Sequence, residues 1–351
     1  MADFVTLLDR APGWLRRRVY GIAAGRGVLG RIADAARFRF ADEDIPALPA
    51  DPDAAVRLFV GPANSAGQGM LWCRAVEHHL PGVSAVSMRG LGGDEFQAAV
   101  DVRVPVAVYQ RSAVWHSRLE AFLERRTHVV WESGLPLLGR ACGSDVSAEL
   151  ARLASAGVHG ALLFHGSDVR LPSWHAARNP WSPFRVGSGP VRALEETATD
   201  NLALARTAEV PVFVSTPDLL ALLPTAVWCP VVVDTSRWGA LDPVSLARRK
   251  PLVVAHAPSR GWIKGTDRIE PTLHALDREG VIEYRRAEGI PHDAMPDFYA
   301  AADVVLDQFL LGSYGVAACE AMAAGRLVVG HVDEEARASV RALTGRELPI
   351  L

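Results

Sequence analysis

Short runs of Val, Leu and Ala, separated by stretches long enough for a helix, set the strongest limit on how this chain can fold. In the first half these runs lie at 56–60, 104–109, 128–131, 161–164 and 210–215, and in the second half at 252–255, 281–284, 303–306 and 327–329. Continuous apolar runs are typical of parallel strands that are buried on both faces. The helices between them are the usual connections of a parallel sheet. The sequence therefore predicts two doubly wound α/β units.

Helices are predicted between these runs at 70–80, 149–156, 191–206, 266–279, 294–302 and 314–324. A proline-rich stretch at 224–243 divides the two series and predicts a hinge. We therefore expect domains at 55–235 and 236–351, preceded by a helical segment and linker at 1–54. The carboxyl ends of both sheets would then face one cleft, where ligands of such folds bind.

The overall composition excludes several classes of protein for this chain. The chain has 351 residues, 49% of them hydrophobic, which is enough for about two domains and excludes global disorder. A net charge of −3 gives no global attraction to nucleic acid. The four cysteines show no CxxC pair and predict free thiols in a reducing compartment. No apolar run reaches the length of a membrane span and no secretory signal is visible, so we expect a cytoplasmic protein.

The first 50 residues differ from the rest. Seven arginines lie between Trp14 and Phe40 among small and apolar residues. The pattern predicts a helix that packs on the domain, with contact at the inner membrane surface as the alternative. The stretch 41–53 has three prolines and five acids and predicts a linker.

A loop with two cations follows the run at 252–255. Its sequence, from His256 to Asp267, is HAPSRGWIKGTD, and it leads into a helix whose N-cap is predicted to be Thr266 or Asp267. Cations before a helix N-terminus are unfavourable unless an anion lies between them. Arg260, Lys264 and the backbone N–H groups therefore predict a phosphate site, with an exposed loop of incidental charges as the alternative.

The run at 303–306 leads through DQFLLGSYG into a helix of small and apolar residues that ends at Gly325. Glu320 is the only charged residue of that helix, and a carboxylate in such surroundings needs a partner. Two ribose hydroxyls would satisfy both of its oxygens. The alternative is a buried glutamate paired with an arginine.

These two motifs, PS-R-x-x-x-K-G-T and Y-G-x-x-x-x-E-A-M-A-x-G, resemble the donor half of the family-4 retaining glycosyltransferases of the GT-B fold (glycosyl transferases group 1). The resemblance covers 256–330 strongly and 56–234 more loosely. It implies that Arg260 and Lys264 grip the donor diphosphate and that Glu320 binds the ribose. It also makes 236–351 the nucleotide-sugar-binding domain and 55–235 the acceptor domain. The helix start at Ser313, Tyr314 and Gly315 would then face the diphosphate.

One position departs from that family. A second glutamate, eight residues before Glu320, usually contacts the transferred sugar, and this chain has Gly312 there. Asp307 or Gln308 is predicted to take over the contact. The family also continues past the equivalent of residue 351, so we expect either a short protein or a truncated one.

The first half offers matching residues. Gly67 and Gly69 lie in a turn after the run at 56–60, where glycine lets the backbone approach a ligand, although a tight turn alone also selects glycine. The family resemblance places an active-site histidine at His165, after the run at 161–164. Asp168 is predicted to be catalytic with it, and Arg170 to orient it or to bind acceptor. The alternative is that His165 is a core histidine.

Asp-x-Asp occurs only at 42–44 and 51–53, in the linker, so no metal and no cofactor are expected. The resemblance implies a nucleotide-diphosphate sugar as donor, a sugar acceptor and retention of configuration, and the basic N-terminal helix points to a lipid-linked acceptor as the alternative. The alternatives are a sugar-nucleotide epimerase or a phosphorylase on the same scaffold, or a non-catalytic sugar-nucleotide-binding module. Product analysis separates an epimerase, which needs no acceptor, from a transferase.

Overall fold

The computed structural model describes residues 40–51, 53–90, 98–185, 189–238 and 251–351. The basic segment predicted from Trp14 lies outside the described residues, apart from Phe40. None of the described helices combines the length and the apolar character needed to cross a bilayer.

The strands of the first half form one sheet and those of the second half another. The first sheet contains β1 (Val56–Gly61), β2 (Val83–Arg89), β3 (Val102–Arg103), β4 (His128–Glu132), β5 (His159–Phe164), β6 (Val212–Val214) and β7 (Val227–Trp228). The second contains β8 (Leu252–His256), β9 (Ile282–Arg286), β10 (Val304–Leu306) and β11 (Leu327–Val329). All pairs are parallel. The predicted α/β class with two Rossmann-like units is confirmed.

Helices connect these strands. In the first half they are α1 (Gln68–His79), α2 (Val106–Arg111), α3 (Ala113–Leu123), α4 (Val146–Ser155), α5 (Gly166–Val169), α6 (Pro172–Arg178), α7 (Gly189–Thr207) and α8 (Thr235–Trp238). In the second half they are α9 (Gly261–Lys264), α10 (Thr266–Arg278), α11 (Met295–Ala300), α12 (Val316–Ala323) and α13 (Glu334–Thr344).

The order of the strands places a switch point in each sheet. In the first sheet the order is β3-β2-β1-β4-β5-β6-β7, and the chain changes direction between β1 and β4. In the second it is β11-β10-β8-β9, with the change between β8 and β10. Loops that follow the strands on either side of a switch point diverge and leave a crevice. The loops after β1 and β4, and after β8 and β10, are therefore the places where a ligand is expected.

Two cores stabilise the sheets. The larger one packs apolar side chains of the first sheet, such as Trp131 and Phe164, against α3 and α4. The smaller one packs Val305 and Val328 against Ala318 and Ala321 of α12. A third apolar cluster joins Phe184 and Val191 of the first half with Ile263 and Leu311 of the second. The two units therefore share buried surface beside the glycine-rich loop after β10.

Two local predictions were wrong, and the strands β2, β3 and β7 were not predicted. The run at 104–109 was predicted as a strand, but residues 106–111 form α2, because Pro105 precedes its first turn and the short strand β3 ends before it. The N-cap of α10 is Gly265 and not Thr266 or Asp267. Strand β2 was not predicted, because its apolar residues alternate with Ser84 and Ser87. The predicted domain bounds stay predictions.

Candidate functional site

Lys264 and Asp307 meet between the loops that follow β8 and β10. Lys264 Nζ lies 3.0 Å from Asp307 Oδ1, and Gly315 N–H donates to Asp307 Oδ2 at 2.8 Å. The side chains of Lys264 and Asp307 are only 11% and 2% exposed. One buried carboxylate is thus held by an ammonium group and by the N-terminal end of α12, the environment that favours an anion.

His256 connects the two loops through hydrogen bonds of both its ring nitrogens. Its Nδ1 lies 2.9 Å from the Leu306 carbonyl oxygen and its Nε2 lies 2.9 Å from the Thr266 hydroxyl. A carbonyl only accepts, so Nδ1–H donates to it and Nε2 accepts from Thr266. Burial lowers the pKa of His256 and keeps the ring neutral in that arrangement. The histidine therefore fixes the end of β8 against β10 and the first residue of α10.

Arg260 lies in the same loop and is exposed. It occupies the N-cap position of α9, and its side chain has no hydrogen bond or ion pair within the part of the chain that the structure describes. Lys264, in contrast, is already paired. Arg260 is therefore the cation of this loop that is available to an incoming anion.

Glu320 lies on α12 and is 7% exposed. Its Oε1 lies 3.0 Å from His292 Nε2, and Arg237 donates to the His292 carbonyl oxygen at 2.8 Å. The alternative of an arginine partner for Glu320 is wrong, because the partner is a histidine. The structure thus shows a largely buried Glu320 in contact with His292, and its ribose role stays a prediction.

A chain of hydrogen bonds crosses from the glycine-rich loop to the first unit. Gln308 donates to the Ser313 carbonyl oxygen at 2.7 Å, and the Ser313 hydroxyl donates to Asp218 Oδ1 at 2.6 Å. Asp218 Oδ2 lies 2.5 Å from Arg170 Nη2. Burial by itself would raise the pKa of Asp218, but Arg170 and Ser313 outweigh it and hold that pKa below its usual range. Arg170 therefore reaches Ser313 through a charged Asp218.

The predicted donor residue Tyr314 and the departing position Gly312 both have structural roles in the same loop. Tyr314 is buried in the core of the second unit. Gly312 has a φ of +65°, and a Cβ on it would overlap the Asp333 carboxylate. A glutamate at position 312 would therefore require Asp333 to move.

The turn after β1 faces the end of β4. Gly67 has a φ of +75°, and a Cβ on Gly69 would lie 3.1 Å from Asn64 Oδ1 and 3.2 Å from Glu132 Oε2. Asn64 N–H donates to Glu132 Oε2 at 2.8 Å. The close approach that selects glycine at position 69 is thus an approach to Asn64 and Glu132, two side chains of the protein itself.

His165 lies on the other side of the same carboxylate. Its Nε2 is 3.3 Å from Glu132 Oε1, and its ring stacks on Trp72 with centroids 5.8 Å apart. Burial by itself would lower the pKa of His165, but the bond to Glu132 and the negative charges of Glu132 and Asp168 outweigh it and raise that pKa. Asp168 accepts from the His165 backbone N–H at 2.8 Å, so its carboxylate caps α5 and does not hold the ring.

Sequence reasoning missed Glu132 and Asp218. Glu132 is fully buried at the carboxyl end of β4, and Asp218 lies three residues after the predicted strand run that ends at Ser215. An acid directly after an apolar strand at the expected cleft was the available signal for Glu132. Within the described residues, no group of three or more His, Cys, Asp or Glu side chains is arranged to hold a metal ion.

The predicted residues thus form three groups. Lys264, Asp307 and Gly315 are in contact, Arg170 is linked to Ser313 and Gln308, and His165 lies with Gly69 beside Glu132. Glu320 lies apart from these contacts, beside His292.

No family model matches the chain, and no curated protein matches it. Among solved structures it is similar to sucrose-phosphate synthase from Thermosynechococcus elongatus, at 14% identity over 79% of this chain and 81% of that chain, with a TM-score of 0.44. An α-glucosyltransferase in complex with UDP is 8% identical over 78% and 80%, with a TM-score of 0.45. A UDP-N-acetylglucosamine 2-epimerase is 13% identical over 84% and 88%, with a TM-score of 0.38.

Proposed function

We propose that this protein is a glycosyltransferase that takes a sugar from a nucleotide-diphosphate sugar and transfers it with retention of configuration. The convergence of Lys264 and the start of α12 on one buried anion, at 3.0 and 2.8 Å, carries the proposal. An ammonium group and helix N-terminal N–H groups are what proteins use to bind phosphate. They come from the two loops beside the switch point of the second sheet, where open α/β sheets bind nucleotides.

The diphosphate would be held mainly by Arg260 when it first arrives. Lys264 is neutralised by Asp307 in the structure, whereas Arg260 is exposed and without a partner among the described residues. Arg260 thus supplies uncompensated positive charge, and Lys264 is shared between Asp307 and the phosphate after binding. These two side chains would stabilise the negative charge of the diphosphate, as a metal ion does in other transferases.

The ribose would bind at Glu320. Its Oε1 contacts His292, but an ionised carboxylate accepts about four hydrogen bonds. A ribose hydroxyl can therefore donate to Glu320 while the histidine contact persists. Asp307 and Gln308, which lie at the end of β10, stay candidates for the contact with the transferred sugar.

Transfer breaks the bond between the anomeric carbon and the phosphate oxygen and forms a bond from that carbon to an acceptor hydroxyl. The leaving phosphate oxygen takes the acceptor proton, which preserves charge balance without a protein base. His165, with its raised pKa, would donate a hydrogen bond to the sugar or to the leaving group. Glu132 holds the ring of His165, and closure of the cleft would exclude water.

A thermal-shift panel of UDP-, GDP-, dTDP- and ADP-sugars tests the proposal. A ligand that binds only the folded protein raises its melting temperature with increasing occupancy. We expect a rise with one nucleotide base, followed by acceptor-dependent release of the diphosphate. Binding of none of these compounds would contradict the proposal, and turnover without acceptor would indicate an epimerase instead.

A further inference from the structure

A cavity of about 380 Å³ lies beside the glycine-rich loop, between the two units. One wall comes from α6 and the turn after it, and the other from the loop after β11 and the start of α13. Its size falls in the range of roughly 300–1,000 Å³ that is usual for small-molecule sites. Arg170 and Asp218, which connect to Ser313, form part of the lining. The cavity is therefore adjacent to the loop that carries Asp307.

The charges that line the cavity disfavour an anion. The lining has three carboxylates, Asp218, Asp333 and Glu335, and two guanidinium groups, Arg170 and Arg178. It also has two histidines, His175 and His331, and His331 Nε2 lies 3.2 Å from Asp333 Oδ1. Each guanidinium is already paired, Arg170 with Asp218 at 2.5 Å and Arg178 with Glu335 at 3.0 Å. The remaining donor and acceptor capacity of these groups suits a neutral ligand with many hydroxyls.

Two tryptophans complete the lining. Trp181 is 69% exposed, the largest exposed fraction of any aromatic side chain among the described residues, and Trp174 lies under the Arg178 guanidinium at 4.7 Å. An indole exposed beside a polar cavity offers a flat face to the C–H groups of a ring. A sugar ring has such a face and carries its hydroxyls around the edge.

We propose that this cavity binds a neutral sugar ring of the acceptor, stacked on Trp181 and hydrogen-bonded to Asp333 and the two arginine pairs. The acceptor assignment rests on the proposed function, since the donor would bind beside Asp307 on the other side of the Ser313–Asp218 contact. Asp333 supplies a carboxylate next to Gly312, in space that a side chain at position 312 would otherwise fill.

Saturation-transfer NMR with methyl α-glucoside, methyl α-mannoside, methyl β-galactoside and glucose 6-phosphate tests this proposal. We expect saturation of at least one neutral glycoside and weaker binding of the phosphorylated sugar. Trp181→Ala should weaken the neutral sugar at least tenfold. The matched control is Trp262→Ala, because Trp262 is 40% exposed and does not line the cavity. Asp333→Asn, which keeps the shape of the side chain, should weaken binding severalfold.

Nucleoside-diphosphate binding is measured on the same samples and separates the two proposals. A protein that binds nucleotide but no neutral glycoside overturns the sugar cavity and leaves the donor site standing. Equal binding by the Trp181→Ala and Trp262→Ala variants, or tighter binding of glucose 6-phosphate, also overturns it. A protein that binds sugar but no nucleotide keeps the cavity as a sugar site and removes its acceptor role.

Discussion

The ion pair of Lys264 and Asp307 is buried at the place where the donor diphosphate is proposed to bind. Lys264 Nζ and Asp307 Oδ1 are 3.0 Å apart, and both side chains are almost completely buried. Transfer of two charges out of water is costly, so such a pair stabilises the protein only while both partners are present. The pair therefore keeps a cation and a helix N-terminus in position at the proposed donor site, and loss of either partner leaves a buried charge.

We predict that Lys264→Ala lowers the free energy of unfolding by about 3 kcal/mol, because the Asp307 carboxylate loses its cation in a buried site. Urea unfolding measures the change. Arg285→Ala is the control, since the exposed pair of Arg285 and Glu283 contributes at most about 1 kcal/mol. Equal losses in the two variants would contradict a buried ion pair.

The raised pKa of His165 predicts a pH dependence of stability. The folded pKa lies above the unfolded one, so the contribution of His165 is fully present below the unfolded pKa and is lost as the pH rises through the folded pKa. The advantage of the wild type over His165→Asn in unfolding free energy should thus shrink between about pH 6 and the folded pKa. An advantage that grows over this range would contradict the Glu132 contact.

At the scale of the elements, the loop between β10 and α12 is determined by its neighbours. Gly312 has a left-handed φ of +65° and lies against the Asp333 carboxylate at the N-cap of α13. The Asp333 N–H donates to the Gly312 carbonyl oxygen at 2.9 Å. The shape of this loop, and with it the position of Ser313 and Gly315, therefore depends on a helix that follows it in the sequence.

We predict that Gly312→Ala lowers the unfolding free energy more than Gly345→Ala. Both glycines have a positive φ, at +65° and +69°, so backbone strain destabilises the folded state of each alanine variant by about 1–2 kcal/mol. A Cβ at Gly345 meets nothing within 4 Å, whereas one at Gly312 overlaps Asp333. Adding Asp333→Ala should remove the excess, as a double-mutant cycle by urea unfolding would show. An unchanged excess would contradict the overlap.

Local sequence patterns were sufficient to predict strands with continuous apolar runs, such as β11, whose predicted bounds match the structure. They failed for β2, because Ser87 is buried and satisfied by Asp101 at 2.9 Å, a contact that links residues 14 positions apart. Lys264, Asp307 and Glu320 could be selected as candidates, but the pairing of Lys264 with Asp307 and of Glu320 with His292 could not. Those pairings arise only when separate strands and loops pack together.

At the scale of the molecule, the segment that links the two sheets is anchored on the first unit. The Gln68 amide exchanges hydrogen bonds with the Val232 backbone at 2.8 and 3.1 Å, and Trp72 Nε1 donates to the Pro230 carbonyl oxygen at 2.9 Å. Gln68 and Trp72 belong to α1, beside the turn that contacts Glu132. The segment between the sheets is therefore anchored next to His165, because Trp72 also stacks on the His165 ring. A change in the angle between the units would thus alter the surroundings of His165.

Donor binding and transfer should not depend on a divalent cation. Arg260 and Lys264 supply the positive charge for the diphosphate in the proposed site, so chelation removes nothing that the reaction uses. We expect equal rates of diphosphate release with EDTA and with added Mg²⁺ in a coupled assay. A rate that falls severalfold in EDTA and returns with Mg²⁺ would contradict metal-free donor binding.

Isothermal titration with the nucleoside diphosphate selected by the thermal-shift panel tests the donor site most directly. The wild type should bind, and Arg260→Ala should weaken binding about tenfold, or about 1.4 kcal/mol. Arg260 is exposed and without a partner among the described residues, so its removal should not disturb the fold. The matched control is Arg278→Ala, because Arg278 is an exposed arginine roughly 18 Å away from the start of α10, at its last residue. Equal affinities of the two variants, or no binding by the wild type, would contradict a diphosphate site at Arg260 and Lys264.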